Sequence, residues 1–167
     1  MPSEALRASS LADILNFIRN DYPEFSFIET THFSWHAGHK VVSFKASGTR
    51  SEQIKDIWAL LHELGHALLN HSDYRYDIEL LRLEVEAWEK SHELAQSYGI
   101  EIDEDYVQDC LDTYRDWLHL RATCPTCYAR SLQTSPRQYS CINCQAEWTV
   151  SRNRFCRPYR LQKTKEV

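Results

Sequence analysis

Residues 59–69 read Ala-Leu-Leu-His-Glu-Leu-Gly-His-Ala-Leu-Leu, and the His-Glu-x-x-His at their centre constrains the chain more than any other stretch. Two histidines four apart can serve one metal ion only on a helix. At 3.6 residues per turn they overshoot a full turn by about 40°, so they project from nearly the same side. His62 and His66 can then take two corners of a tetrahedral zinc site. Glu63 falls beside the ion rather than on it, where its carboxylate could take a proton from a water held there. The surrounding sequence supplies the helix. Ile54, Ile57, Trp58, Leu61, Gly65 and Leu68 recur at helical spacing, with the two histidines at the edge of that stripe. Thr49 paired with Glu52, or Ser51, can cap its start.

Such a stripe needs a core to pack on. A chain of 167 residues that is 43% hydrophobic can build one, as a single compact domain with a small appendage. No run approaches the ~20 apolar residues of a spanning helix, and the mean hydropathy is −0.55, so no membrane association is expected. The opening Met-Pro-Ser-Glu-Ala-Leu-Arg lacks the basic-then-apolar pattern of a signal peptide, and the expected location is cytoplasmic. The net charge of −5 is unevenly spread. Residues 121–167 hold nine Lys/Arg against Glu147 and Glu166, or +7, which leaves 10 basic against 22 acidic residues, or −12, in the rest. That split makes nucleic acid a candidate partner of the basic C-terminal region.

Before the metal motif, Ser9 or Ser10 can cap a first helix to about Arg19, with Leu11, Ile14, Leu15 and Ile18 on one face. From Phe25 to Lys45 the period shortens to near alternation, which predicts two or three strands with a turn at Ala37-Gly38. After it, residues 70–77 read as a loop. Asp77 can cap a helix running to about Tyr98, and Asp103 another whose buried face is Val107, Cys110, Leu111, Tyr114, Trp117 and Leu118. Cys110 in that stripe is expected to be a core thiol.

A zinc site that activates water needs a third protein ligand. The helix after the loop offers Glu84 and Glu86. On a helical wheel Glu84 shares the apolar arc with Leu80, Leu81 and Trp88, whereas Glu86 falls among Glu79, Arg82, Glu89 and Glu93. The separation of 20 residues from His66 to Glu86 resembles the gluzincin arrangement of thermolysin-like enzymes. That likeness ranks Glu86 first and Glu84 second. His71 reads as a surface loop histidine and His92 as a core one. His32, His36 and His39 fall among the strands.

His62-Glu63-Leu64-Gly65-His66-Ala67-Leu68-Leu69 followed by Glu84-Val85-Glu86-Ala87 resembles the core of the ImmA/IrrE-type metallopeptidases over roughly residues 50–98. The resemblance maps the third ligand onto Glu86. It implies a compact zincin fold, with helices against a small sheet whose edge strand borders the cleft. It also implies a soluble regulatory protease that cuts or inactivates transcriptional repressors.

Cys124-Pro-Thr-Cys127 and Cys141-Ile-Asn-Cys144 form two Cys-x-x-Cys knuckles with 13 residues between them. Four thiolates so spaced make a closed structural zinc site with no open position. Disulfides suit a secreted chain better. The spacer can form a hairpin with its tip at Thr134-Ser135-Pro136, covered by Tyr139 and Trp148. A zincin followed by a zinc ribbon also resembles the SprT-like proteases, which work at DNA. Cys156 is a spare thiol.

The sequence therefore predicts an α+β chain in three parts. These are a zincin-like domain over 1–120, a four-cysteine zinc ribbon over 121–150 and a basic, flexible tail over 151–167. The expected activity is that of a zinc endopeptidase with one catalytic and one structural zinc. Zinc would sit on His62, His66 and Glu86, with Glu63 as general base. A protein substrate would add as an extended strand to residues 32–46. Tyr74, Tyr76 and His36 are candidate oxyanion donors. The alternative is a non-catalytic zinc-ribbon adaptor that binds nucleic acid or a partner protein on a zincin scaffold.

Overall fold

The computed structural model describes residues 10–46, 48–151 and 160–162. These residues form an α+β structure with four helices and two small sheets. In order they are α1 (Leu11–Asp21), β1 (Ser26–Glu29), β2 (Ser34–His36), β3 (Val41–Phe44), α2 (Arg50–Leu68), α3 (Asp77–Ser97), α4 (Glu104–Ala122), β4 (Leu132–Ser135), β5 (Gln138–Ser140), β6 (Glu147–Val150) and β7 (Arg160–Gln162). The chain divides into two compact units, residues 1–73 with 83–107 and residues 74–82 with 108–167, so α3 and α4 contribute to both. No helix among the described residues is long and apolar enough to cross a membrane.

In the first unit, the Ser10 hydroxyl accepts the Asp13 backbone N–H at 3.2 Å and starts α1. The helix buries Leu11, Ile14, Leu15 and Ile18, the stripe expected from its spacing. The three-stranded sheet has the order β1-β3-β2. β1 runs parallel to β3, while β2 returns antiparallel along its other side, pairing Trp35 with Val42. The turn between β2 and β3 closes at Lys40, whose φ is 52°. Val42 and Phe44 are buried in the central strand, and β2 is left as a three-residue edge. α2 begins on a Thr49 cap, where the hydroxyl accepts the Glu52 N–H and bonds the Glu52 carboxylate in return. It buries Ile57, Trp58, Leu60, Leu61 and Leu64.

Gly65 fixes how closely α3 approaches α2. A Cβ placed there would lie 2.6 Å from the Ala87 carbonyl oxygen. Gly65→Ala would gain about 1 kcal/mol of helix propensity. Overpacking against backbone typically costs about 1–3 kcal/mol. The variant is therefore expected to melt at a lower temperature than the wild type, an outcome that thermal denaturation reads directly. A melting temperature equal to or above that of the wild type would show the contact to be slack.

In the second unit the sheet is an antiparallel meander, β4-β5-β6-β7. Thr134 and Ser135 belong to β4, so the hairpin tip moves from the expected Thr134–Pro136 to Pro136–Arg137, with Arg137 at φ 63°. Residues 160–162, expected in a tail, pair with β6 as β7. Cys156 lies outside the described residues. Tyr139 and Trp148 stack at 5.6 Å and pack with Cys124, Cys141 and Val150 as the core.

Beside that core sits an ion pair. Arg121, 1% exposed, donates to both carboxylate oxygens of Asp77, 2% exposed, at 2.6 and 3.1 Å. The Tyr139 hydroxyl donates to the same carboxylate at 2.5 Å, and the Trp148 indole donates to the Arg121 carbonyl at 3.0 Å. Asp77, expected as a helix cap, is thus an interior anion, and Arg121 is an interior cation rather than part of a basic surface.

Candidate metal centres

Among the described residues, two groups of side chains converge closely enough to hold a metal ion: His62, His66 and Glu84 in the first unit, and Cys124, Cys127, Cys141 and Cys144 in the second. Within each group one ligand atom per residue lies within 4.8 Å of all the others.

The first group follows from the helix pair. Four residues apart on α2, His62 and His66 bring their Nε2 atoms to 3.1 Å. Glu84 Oε2 stands 3.1 Å from His62 Nε2 and 3.7 Å from His66 Nε2. Glu84, Ala87 and Trp88 occupy positions i, i+3 and i+4 on α3, one face of the helix. Ala87 meets Gly65, Trp88 stacks on the His62 ring at 4.2 Å, and Glu84 reaches the histidines. Glu86, the first choice for the third position, lies outside this group. Its side chain is 42% exposed and its Oε2 is 3.3 Å from His71 Nε2. Two residues along a helix is a turn of about 200°, so Glu84 and Glu86 cannot serve the same point.

Burial alone would raise Glu84, but hydrogen bonds with His62 and His66 outweigh it and hold the carboxyl well below its ordinary range. Burial lowers His62, which favours the neutral ring that a metal requires. Glu63 behaves differently. Burial pushes its pKa up to about 7, against the lowering pull of His66 and of a backbone hydrogen bond with Trp35. That hydrogen bond sets the edge strand β2 beside Glu63. A carboxyl poised near neutrality is matched to moving protons.

His71 is not the surface histidine that its loop position suggested; it is buried. The cause is local. α2 ends with Asn70 in the left-handed region at φ 53°. The Asn70 N–H returns to the Ala67 carbonyl, and the His71 N–H to the His66 carbonyl at 3.0 Å. This is a Schellman motif, which folds the second residue past the Leu69 cap back over the last turn of the helix. His71 Nδ1 thereby lies 2.9 Å from His66 Nδ1. An asparagine four residues beyond the second motif histidine is the sequence signal for this turn.

The remaining candidates are placed as follows. His36 is exposed on β2, its Nε2 3.1 Å from the Ser34 hydroxyl. His32 and His39 are exposed. His92, expected in the core, is partly exposed and 3.5 Å from Glu104, and Cys110 is half-buried rather than a core thiol. Tyr74 and Tyr76 belong to the second unit.

In the cysteine group the closest thiols come from opposite knuckles, Cys124 with Cys144 at 3.6 Å and Cys127 with Cys141 at 3.5 Å. These separations far exceed the ~2.05 Å of a disulfide bond. Backbone amides turn toward the sulfurs: the Thr126 N–H donates to Cys124 Sγ at 3.4 Å. The Cys144 backbone amide and Ser131 lower the Cys141 thiol, whereas that of Cys144, against a backbone hydrogen bond from Ala146, is raised by burial and the neighbouring thiols, so the four share their protons unequally. Tyr128 and Gln145, each the residue after a knuckle, both take positive φ, 61° and 59°, so the two knuckles repeat one conformation.

No protein-family model, curated protein or solved structure matches this chain.

Proposed function

We propose that the chain is a zinc-dependent endopeptidase on a zincin-like fold, with a second zinc holding its cysteine module together. One observation carries the reading. The His62, His66 and Glu84 donor atoms stand 3.1 to 3.7 Å apart, with Glu63 and an edge strand beside them. Three corners of a tetrahedron with ligand bonds of ~2.0–2.1 Å are separated by roughly 3.3–3.4 Å, so the arrangement fits zinc. The same reasoning with Zn–S of ~2.3 Å gives roughly 3.8 Å, close to the thiol separations.

Two histidines and a carboxylate leave a fourth position open, the mark of a catalytic rather than a structural site. Zinc bound there would supply an acidified water and polarise a scissile carbonyl. Glu63 takes the proton from the attacking water and returns it to the leaving amine. β2, three residues long and with no strand on its outer side among the described residues, offers main-chain groups to an extended substrate. The substrate proposed is a specific protein, such as a transcriptional repressor or a DNA-associated protein. Nucleic acid stays a proposed partner of the basic region, but without Arg121, whose charge is spent on Asp77.

Elemental analysis tests the metal reading. The purified wild type is expected to carry two zinc ions per chain and His62→Ala/His66→Ala one, with cleavage of a displayed peptide library lost in the variant. Two ions in the double variant would overturn the assignment. One ion in both proteins, unchanged on zinc titration, would overturn it as well.

A further inference from the structure

The proposed reaction leaves His71 and Glu86 unused, although His71 lies against His66 and Glu86 against His71. His71 Nδ1 is 2.9 Å from His66 Nδ1, and His71 Nε2 is 3.3 Å from Glu86 Oε2. From these contacts we infer that Glu86 and His71 form a chain of ordered protons that holds His66 in the tautomer and orientation needed to bind metal through Nε2. Both are positioning residues, not ligands. The inference rests on the metal-binding role proposed for His62, His66 and Glu84.

The proton order follows link by link. His66 Nε2 faces His62 Nε2 and Glu84, so it is the ligating atom and carries no hydrogen. A neutral imidazole bare at Nε2 bears its hydrogen on Nδ1. That N–H donates to His71 Nδ1, which must therefore be the accepting nitrogen of its own ring. His71 then carries its hydrogen on Nε2 and donates it to the Glu86 carboxylate. Only this sequence of donors and acceptors satisfies every link while leaving His66 Nε2 free to ligate. The Glu86 charge at the far end makes His71 a better acceptor and His66 a more basic ligand, as outer carboxylates do for metal-bound histidines.

His62 is fixed by other means. Its Nδ1 is buried with no hydrogen-bond partner among the described residues, and its ring stacks on Trp88 with the two planes 29° apart. The two ligand histidines are therefore held differently, one by packing and one by a hydrogen-bonded chain. His71 has a further contact through its backbone, whose carbonyl accepts the Trp35 indole N–H at 2.8 Å. Substituting the His71 side chain leaves that tie to β2 in place, so the variant isolates the side chain's role.

The experiment is a competition of the full-length, zinc-loaded protein with a chromophoric chelator, which reads the affinity of the histidine site. His71→Ala and Glu86→Ala are each expected to weaken it about 10- to 100-fold. The double variant is expected to be no weaker than His71→Ala, because Glu86 acts through His71. Glu86→Gln, which can accept the hydrogen bond without the charge, is expected to fall between Glu86→Ala and the wild type. Nitrogen-15 spectra of the zinc-loaded wild type should show His66 protonated at Nδ1 and His71 at Nε2, independently of how any variant folds.

Wild-type affinity in Glu86→Ala, additive losses in the double variant, or His71 protonated at Nδ1 would each overturn the inference. So would loss of a whole zinc from Glu86→Ala, which would make Glu86 a ligand. Failure of the underlying metal assignment looks different: Glu84→Ala and His62→Ala/His66→Ala would then keep both ions.

Discussion

Glu63→Gln is expected to keep both zinc ions and to lose cleavage by a factor of about 10²–10⁴, the range over which a positioned general base contributes. Glutamine has the shape of glutamate, so the packing around residue 63 is retained. It cannot take a proton from water. The substitution also separates chemistry from folding. Burial already pushes the Glu63 pKa up to about 7, so its surroundings favour an uncharged side chain more than those of an ordinary carboxylate. A permanently neutral one should leave stability undiminished, since burying a charge is the costly state. The measurements are metal content, thermal melting and hydrolysis rate on the same preparation. Undiminished cleavage with two zinc ions bound would end the proposed mechanism.

The second large effect concerns the cysteine module. Its strands are three or four residues long, and sheets of this size do not persist on hydrogen bonding alone. Their core is small, and two of its members are the thiols of Cys124 and Cys141 themselves. Structural zinc contributes about 10–16 kcal/mol of apparent folding free energy in small zinc modules, as much as a typical domain's whole stability of about 5–15 kcal/mol. Cys141→Ser is therefore expected to release one zinc and to abolish amide-exchange protection across β4, β5 and β6. The histidine site should keep its ion. Wild-type protection of those strands in the zinc-free protein would show that Tyr139, Trp148 and the Asp77–Arg121 pair suffice without metal.

Where local pattern decides structure, the sequence was readable: the α1 stripe with its Ser10 cap, the Thr49 cap of α2, and the strands from 26 to 44 all follow from it. The carboxylate that joins His62 and His66 shows where pattern stops. The helical wheel set Glu84 on the apolar arc, but the 20-residue spacing favoured Glu86. The approach of Ala87 to Gly65 turns the Glu84 face toward α2. No one-dimensional spacing encodes which faces of two helices meet, whereas a glycine inside the metal helix does hint at a close approach. His71 looked like a loop residue because the turn that buries it depends on Asn70 adopting a left-handed backbone. Arg121 looked like one charge among nine. Its partner Asp77 is 44 positions away, a pairing that only the folded chain supplies.

The stack of Trp88 on His62 has a consequence of an optical kind. An indole ring 4.2 Å from an imidazole sits within range for its excited state to sense whether that imidazole is protonated, neutral or attached to an ion. A paramagnetic ion at the same point would drain its emission. One of the chain's five tryptophans thus stands at the histidine site, and an ion bound there is expected to change that indole's share of the protein's ultraviolet fluorescence.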